Sequence, residues 1–161
     1  MRIAFLIIDV QKAYVEHRKN QDSYEVALWY INATAELFRK NKAPVYVIRH
    51  LEGVDGPNYQ CVDELKTSKE DVEITKTHSN SFYETTLEQQ LKDQGIDTVV
   101  ISGNALEHCV VATYFGGTER GFKVLFLQRG IIALHDKNLE QLYFERPLIS
   151  YTAIDCIFNN T

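Results

Sequence analysis

The chain reads as a single α/β domain with its strands in a parallel sheet, and three observations lead there. Short apolar runs rich in β-branched residues begin at Ile3, Val45, Val99 and Phe122. They are continuous rather than alternating, as expected of strands covered on both faces. Amphipathic helical patterns separate them, and strands alternating with helices imply parallel pairing through crossover connections. The 161 residues suit one domain, 1–161, with a sizeable core. No internal repeat or second domain is visible.

In chain order, Ile3 to Ile8 is the first strand, and Asp9 ends it abruptly, with Gln11 and Tyr14 in the following turn. A helix is expected over Ser23 to Lys40, its apolar face drawn through Val26, Trp29, Tyr30, Ala33, Leu37 and Phe38. Arg39, Lys40 and Lys42 gather at its C-terminal end, where the dipole prefers cations. Pro44 opens a second strand, Val45 to Arg49, with His50 at its end. Leu51 to Asp71 lacks periodicity and reads as a long binding loop or lid, with a helical turn around Val62 to Leu65. Glu73 to Thr75 is a short third strand that delivers Lys76. Thr85 to Glu88 has a capping-box pattern, opening a helix to about Gln94 that Gly95 stops. The buried strand Val99 to Ile101 is broken by Ser102, Gly103 and Asn104, and a helix follows from near Glu107 to Arg120. Phe122 to Leu127 is a fifth strand that Gln128, Arg129 and Gly130 terminate. A helix over Asn138 to Glu145 carries Leu139, Leu142 and Tyr143; a last strand spans Leu148 to Tyr151, and Ala153 to Phe158 forms a short helix or tail.

Composition excludes several functions. The net charge is −5 with no block of basic residues, which disfavours nucleic acid or an anionic membrane as a partner. No apolar run approaches the ~20 residues of a membrane span. The N-terminal run lacks a small-residue cleavage site and reads as a strand, not a signal peptide. The three cysteines, Cys61, Cys109 and Cys156, are widely spaced and odd in number, which fits a reducing, cytoplasmic setting rather than a disulfide scaffold. No Gly-x-Gly-x-x-Gly follows the first strand, so a nucleotide cofactor is not expected.

Asp9, Lys76 and Cys109 each sit where a separate strand gives way to the next segment. In a parallel sheet those ends share one edge, the edge at which ligands bind. Their chemistry is coherent. The carboxylate takes the thiol proton and passes it to a leaving amine. The ammonium and the helix N-terminus favour a thiolate. The thiolate attacks a carbonyl to give a covalent intermediate, and amides of the Ala105-to-Cys109 turn, those of Ala105 and Cys109 in particular, hold the oxyanion. On this reading Cys109 alkylates near neutral pH faster than Cys61 or Cys156. Candidates to line the substrate pocket are Tyr14, His50, Phe82, Asn104 and Leu106.

Three segments carry a resemblance. Phe5-Leu-Ile-Ile-Asp9-Val-Gln11-Lys-Ala-Tyr14, Lys76-Thr-His-Ser-Asn-Ser81-Phe82-Tyr-Glu-Thr85-Thr-Leu87 and Gly103-Asn-Ala-Leu-Glu-His-Cys109-Val-Val-Ala-Thr113 resemble, in order, segments of the isochorismatase-like cysteine hydrolases, a family that includes nicotinamidases and N-carbamoylsarcosine amidases. The resemblance implies a Rossmann-like three-layer sandwich with a six-stranded parallel sheet flanked by helices, an Asp9–Lys76–Cys109 triad, a cis peptide at Ala105–Leu106 or the bond before it, and a homodimer or homotetramer. It departs from the family at Leu106, where Thr is usual, and at Asn80 and Ser81. Metal-dependent nicotinamidases carry an Asp and several His after the second strand; here only His50 is present, so no metal is expected. His17, His78, His108 and His135 read as surface or locally bonded residues. The expected reaction is hydrolysis of a C–N bond in a small amide or ureide. The alternatives are vinyl-ether hydrolysis as in isochorismatases, or a non-enzymatic binding or redox-sensing module that keeps Cys109 as a reactive thiol.

Overall fold

The computed structural model describes residues 1–159. Its strands and helices are β1 (Ile3–Ile8), α1 (Lys12–Val15), α2 (Asp22–Lys40), β2 (Val45–His50), β3 (Val72–Lys76), α3 (Leu87–Asp93), β4 (Thr98–Asn104), α4 (Val111–Glu119), β5 (Lys123–Ile132), α5 (Lys137–Glu145), β6 (Leu148–Ile149) and α6 (Tyr151–Asn159). The strands form one six-stranded sheet, every pair parallel, in the order β3-β2-β1-β4-β5-β6. The chain leaves β1 in one direction, returns, and continues from β4 in the other. The crevice beyond the C-terminal ends of β1 and β4 is therefore the topological switch point, where open α/β sheets bind ligands.

The period of two along a strand divides the core into two layers. From β1, Ile3, Phe5 and Ile7 join Val45, Val47 and the buried face of α2, while Ala4, Leu6 and Ile8 join Tyr46, Ile48, Leu87 and Leu91 on the opposite face. All six residues of β1 are buried, which is why its sequence is a continuous apolar run. No helix among the described residues is long and apolar enough to cross a membrane.

Several sequence expectations need correction. Helix α2 buries Tyr24, Ala27, Leu28, Ile31, Thr34, Ala35 and Phe38, whereas Val26 and Trp29, assigned to its core face, are exposed. Two apolar stripes compete on this helix, and the stripe chosen contained the bulkier side chains. Gln128, Arg129 and Gly130 do not end β5. Ile101 pairs with Phe126 but Gly103 pairs with Ile131, so the triplet lies in a bulge, with Arg129 at φ 65, and the strand resumes. Bulges of this kind re-aim a strand beside a site. The capping box at Thr85 to Glu88 does not form. Thr85 Oγ1 instead donates to the Ser81 carbonyl at 2.7 Å, and Thr86 Oγ1 accepts from Gln90. The helical turn in the long loop is at Pro57–Tyr59, while Val62 to Leu65 is a hydrogen-bonded turn. Strand β6 stops at Ile149, because Ser150 Oγ accepts the Ala153 N–H at 3.1 Å and starts α6.

Gly103 of β4 pairs with Ile8 at the end of β1. Its φ is +102, and a Cβ added there would lie 2.1 Å from the Ile8 carbonyl oxygen. Gly103→Ala should cost about 3 kcal/mol or more, since both backbone strain and a backbone collision must be relieved. The neighbouring Ser102→Ala, which removes a 3.0 Å bond to the Leu6 carbonyl, should cost only about 1 kcal/mol. Urea unfolding of the two variants gives the comparison directly, and equal midpoints would contradict it.

Candidate active site

The turn after β1 presents Asp9 in a left-handed conformation, φ 51, with its N–H bonded to the Ile48 carbonyl at 3.0 Å. Asp tolerates this conformation better than most residues. The strain aims the carboxylate into the switch-point crevice, where it is 1% exposed. Lys76, at the end of β3, reaches across β2 and donates to Asp9 Oδ2 at 2.8 Å and to His50 Nδ1 at 3.1 Å; its side chain is fully buried. His50 is the register partner of Lys76. Gln11 fixes it from below, accepting the His50 N–H at 2.7 Å and donating to the His50 and Tyr59 carbonyls. The other oxygen of Asp9, Oδ1, is buried and has no hydrogen-bond partner among the described residues.

Cys109 arrives from β4. The Asn104–Ala105 peptide is cis, and residues Leu106–Val110 form a wide π-helical turn before α4. The Ala105 carbonyl accepts the N–H groups of His108 and Val110 but not that of Cys109, which lies between them. A carboxylate oxygen of Asp9, a ring nitrogen of His50 and Cys109 Sγ all lie within 4.8 Å of one another. The lysine segment is tied to the cysteine helix by Ser81, whose Oγ lies 2.8 Å from Thr113 Oγ1 in a buried pair. Glu107 accepts the Leu134 and His135 N–H groups and the Asn138 amide, which holds the loop after β5 against the turn.

A cavity of about 260 Å³ opens above Cys109. Of the residues singled out from the sequence, Asp9, Tyr14, His50, Asn104, Ala105 and Cys109 line it, together with Glu52, Ser79, His108 and Leu134, which the sequence reading did not include among the site residues. Glu52 and Ser79 lie just past the ends of β2 and β3, so the strand-end rule that found Asp9 would have reached them. His108, which reads in sequence as a surface or locally bonded residue, borders the cavity because a helix that meets a cavity end-on presents its whole first turn to it. Two candidates are corrected. Phe82 is buried under the site, stacked on Phe122 with ring centroids 5.6 Å apart, and Leu106 faces a separate cleft shared with Phe126 and Leu142.

The electrostatics reverse one expectation. Burial pushes the Cys109 thiol up to about 11; Asp9 adds to that shift, and Lys76 offsets it only in part. This balance favours the protonated thiol, since burial and Asp9 together outweigh the Lys76 ammonium. A thiol raised in this way is not expected to alkylate rapidly near neutral pH. Burial also raises Asp9 above the usual carboxylate range, against the pull of Lys76, and burial with Lys76 lowers His50, which is a neutral imidazole. Asp9, His50 and Cys109 are the group among the described residues whose ligand atoms converge as a metal site would require. Two of the three already face the Lys76 ammonium, so a divalent ion would sit against a fixed positive charge. The donor set fits a metal poorly.

Comparison with known proteins places this geometry. Residues 3–146 match the model of the isochorismatase domain. The isochorismatase family protein YrdC of Bacillus subtilis (strain 168) is 30% identical over 155 residues, covering 91% of this chain and 82% of that protein. The N-carbamoylsarcosine amidase of Thermoplasma acidophilum superposes with a TM-score of 0.79 at 22% identity, over 89% of this chain and 91% of its own. The pyrazinamidase of Pyrococcus horikoshii, solved in complex with zinc, superposes with a TM-score of 0.81 at 19% identity, over 94% and 100%. At such identities the two structures establish the shared fold.

Proposed function

The chain belongs to the isochorismatase family, and from that premise we propose that it is a metal-independent cysteine hydrolase cleaving the C–N bond of a small amide or ureide. The observation that carries the reading is the divided carboxylate of Asp9. One oxygen is held by Lys76 while the other is buried with no partner but the Cys109 thiol to draw on, and an oxygen of this carboxylate lies within 4.8 Å of the Cys109 sulfur. A buried acceptor without a donor costs about 1–3 kcal/mol. It is tolerable where a transferable proton is the intended partner.

The steps follow from the protonation states. Because the thiol is protonated at rest, proton transfer to Asp9 accompanies attack of Sγ on the substrate carbonyl. The carbonyl oxygen gathers negative charge, which the amides of Ala105 and Cys109 stabilise. Asp9, whose affinity for protons is raised by burial, returns the proton to the departing nitrogen, and the C–N bond breaks to leave a thioester-type intermediate. Water, deprotonated by the same carboxylate, releases the acid and restores the thiol. Lys76 keeps Asp9 ionised and oriented between these transfers. A cytoplasmic location and association into a homodimer or homotetramer belong to the same proposed reading.

An ammonia-release screen of small amides and ureides, with Cys109→Ser as the control, tests the function. Activity should survive exhaustive chelation, because a divalent ion among these donors would sit against the Lys76 ammonium. Loss of turnover on chelation, restored by zinc or manganese, would show that the three converging donors hold an ion after all.

A further inference from the structure

We infer that the cavity over Cys109 accepts neutral or cationic substrates rich in N–H donors and turns away carboxylates, with Glu52 setting that preference. The inference rests on the proposed chemistry only for the word substrate; the charge selection is a property of the cavity itself. Its polar lining is weighted towards acceptors. Asn104 Oδ1 is buried and has no hydrogen-bond partner among the described residues, the Asp9 carboxylate faces the Lys76 ammonium and the Cys109 thiol, and Asp9 and Asn104 both line the cavity. Buried acceptors are normally satisfied, so the missing partner of Asn104 Oδ1 is a donor that an occupant brings. A primary amide, ureide or amidine supplies one, and a carboxylate does not.

Charge points the same way. No Lys or Arg lines the cavity. Lys76 lies behind Asp9, with its ammonium bonded to Asp9 and His50. Arg49 is turned away to Asp55 and Glu73. The remaining titratable lining groups are the imidazoles of His50 and His108, the Tyr14 phenol and the Cys109 thiol. Glu52 is thus the one lining charge with no cation bound to it among the described residues. It is also held in place: its Oε1 accepts the Tyr14 hydroxyl at 3.2 Å, and its carbonyl accepts the Tyr59 hydroxyl at 3.1 Å. An anionic substrate would meet a fixed like charge at the rim and find no cation inside.

The test uses Cys109 as its own probe. Second-order alkylation rates with neutral iodoacetamide and anionic iodoacetate are read from the labelled Cys109 peptide by mass spectrometry. Both reagents consume the same thiolate, so its abundance cancels in the ratio. The iodoacetamide preference should exceed that of a free cysteine peptide by about tenfold or more, the scale of a Coulomb term between charges several ångström apart near a surface. Glu52→Gln should remove most of that excess, and in the unmodified protein about 1 M salt, with a Debye length of about 3 Å, should reduce it. A preference equal to that of the free peptide, or an excess untouched by both Glu52→Gln and salt, overturns the inference. Labelling needs no turnover. A protein with the bias but no hydrolysis defeats the proposed function alone, and a hydrolase without the bias defeats this inference alone.

Discussion

Replacing Cys109 by serine is expected to lower kcat/KM by about four orders of magnitude or more, the scale seen when a nucleophile is lost from a catalytic unit that works as a whole. The reason lies in how little margin the site leaves. The thiol already sits at about 11, and a hydroxyl holds its proton several orders more tightly, beyond what Asp9 can draw off. Stability should change little, because Cys109 is only half-buried and contributes a side chain of similar size. Two readings check the claim: kcat/KM from ammonia release, and mass spectrometry of rapidly quenched protein, where the wild type carries an acyl adduct on the Cys109 peptide and the variant carries none. A serine variant within tenfold of wild type would end the nucleophile role. Activity that needs Asp9 but not Cys109 would point instead to acid-catalysed vinyl-ether hydrolysis, which uses no thiol.

The parts of this protein that were legible in its sequence are those where one physical demand dominates a segment. β1 is buried on both faces, so burial alone dictates Ile3 to Ile8, and its boundaries are read without error. Asp9 follows from the same logic, since a polar residue stopping a buried strand in a parallel sheet must emerge at one edge; Lys76 closes the edge strand β3, and Cys109 lies in the turn that follows β4. The errors fall where two demands compete. Helix α2 offers two apolar stripes, and only the sheet's position selects Tyr24, Ala27 and Ile31 over Val26 and Trp29. Gln128 to Gly130 look like a stop, yet the apolar pair Ile131 and Ile132 beyond them pairs with Gly103 and Asn104 and extends the sheet. The thiol's protonation differs from the sequence expectation for a similar reason. The ammonium and the opposing charge of Asp9 are visible in sequence, whereas burial, the largest cause of the thiol's rise, exists only in three dimensions.

Asp9 and Lys76 should prove coupled in stability and separable in chemistry. Asp9→Asn removes the proton shuttle and should cost activity on the scale of Cys109→Ser, but it also leaves a fully buried ammonium with no anion. Breaking a buried pair from one side typically costs about 3–5 kcal/mol. Lys76→Met leaves the opposite remainder, a buried carboxyl already raised by desolvation and now without its counter-charge. That group can protonate, so the second variant should be damaged less than the first. The double variant Asp9→Asn/Lys76→Met buries no charge and should recover stability, with a coupling of about 2 kcal/mol or more in a urea-unfolding cycle. The pH dependence has a definite sign. A carboxyl raised in the fold binds its proton more tightly there than in the unfolded chain, so its contribution favours the fold below the unfolded value of about 3.9 and is lost as pH rises through the raised value. Lys76→Met raises Asp9 further and extends that window upward. Turnover requires the ionised form, so the acid limb of the kcat/KM profile should move to higher pH in Lys76→Met, and activity should be partly regained in alkaline buffer. Asp9→Asn should show no such recovery at any pH. Additive stabilities across the cycle, or an acid limb that stays in place without Lys76, would separate the two residues and leave the ammonium without the role assigned to it.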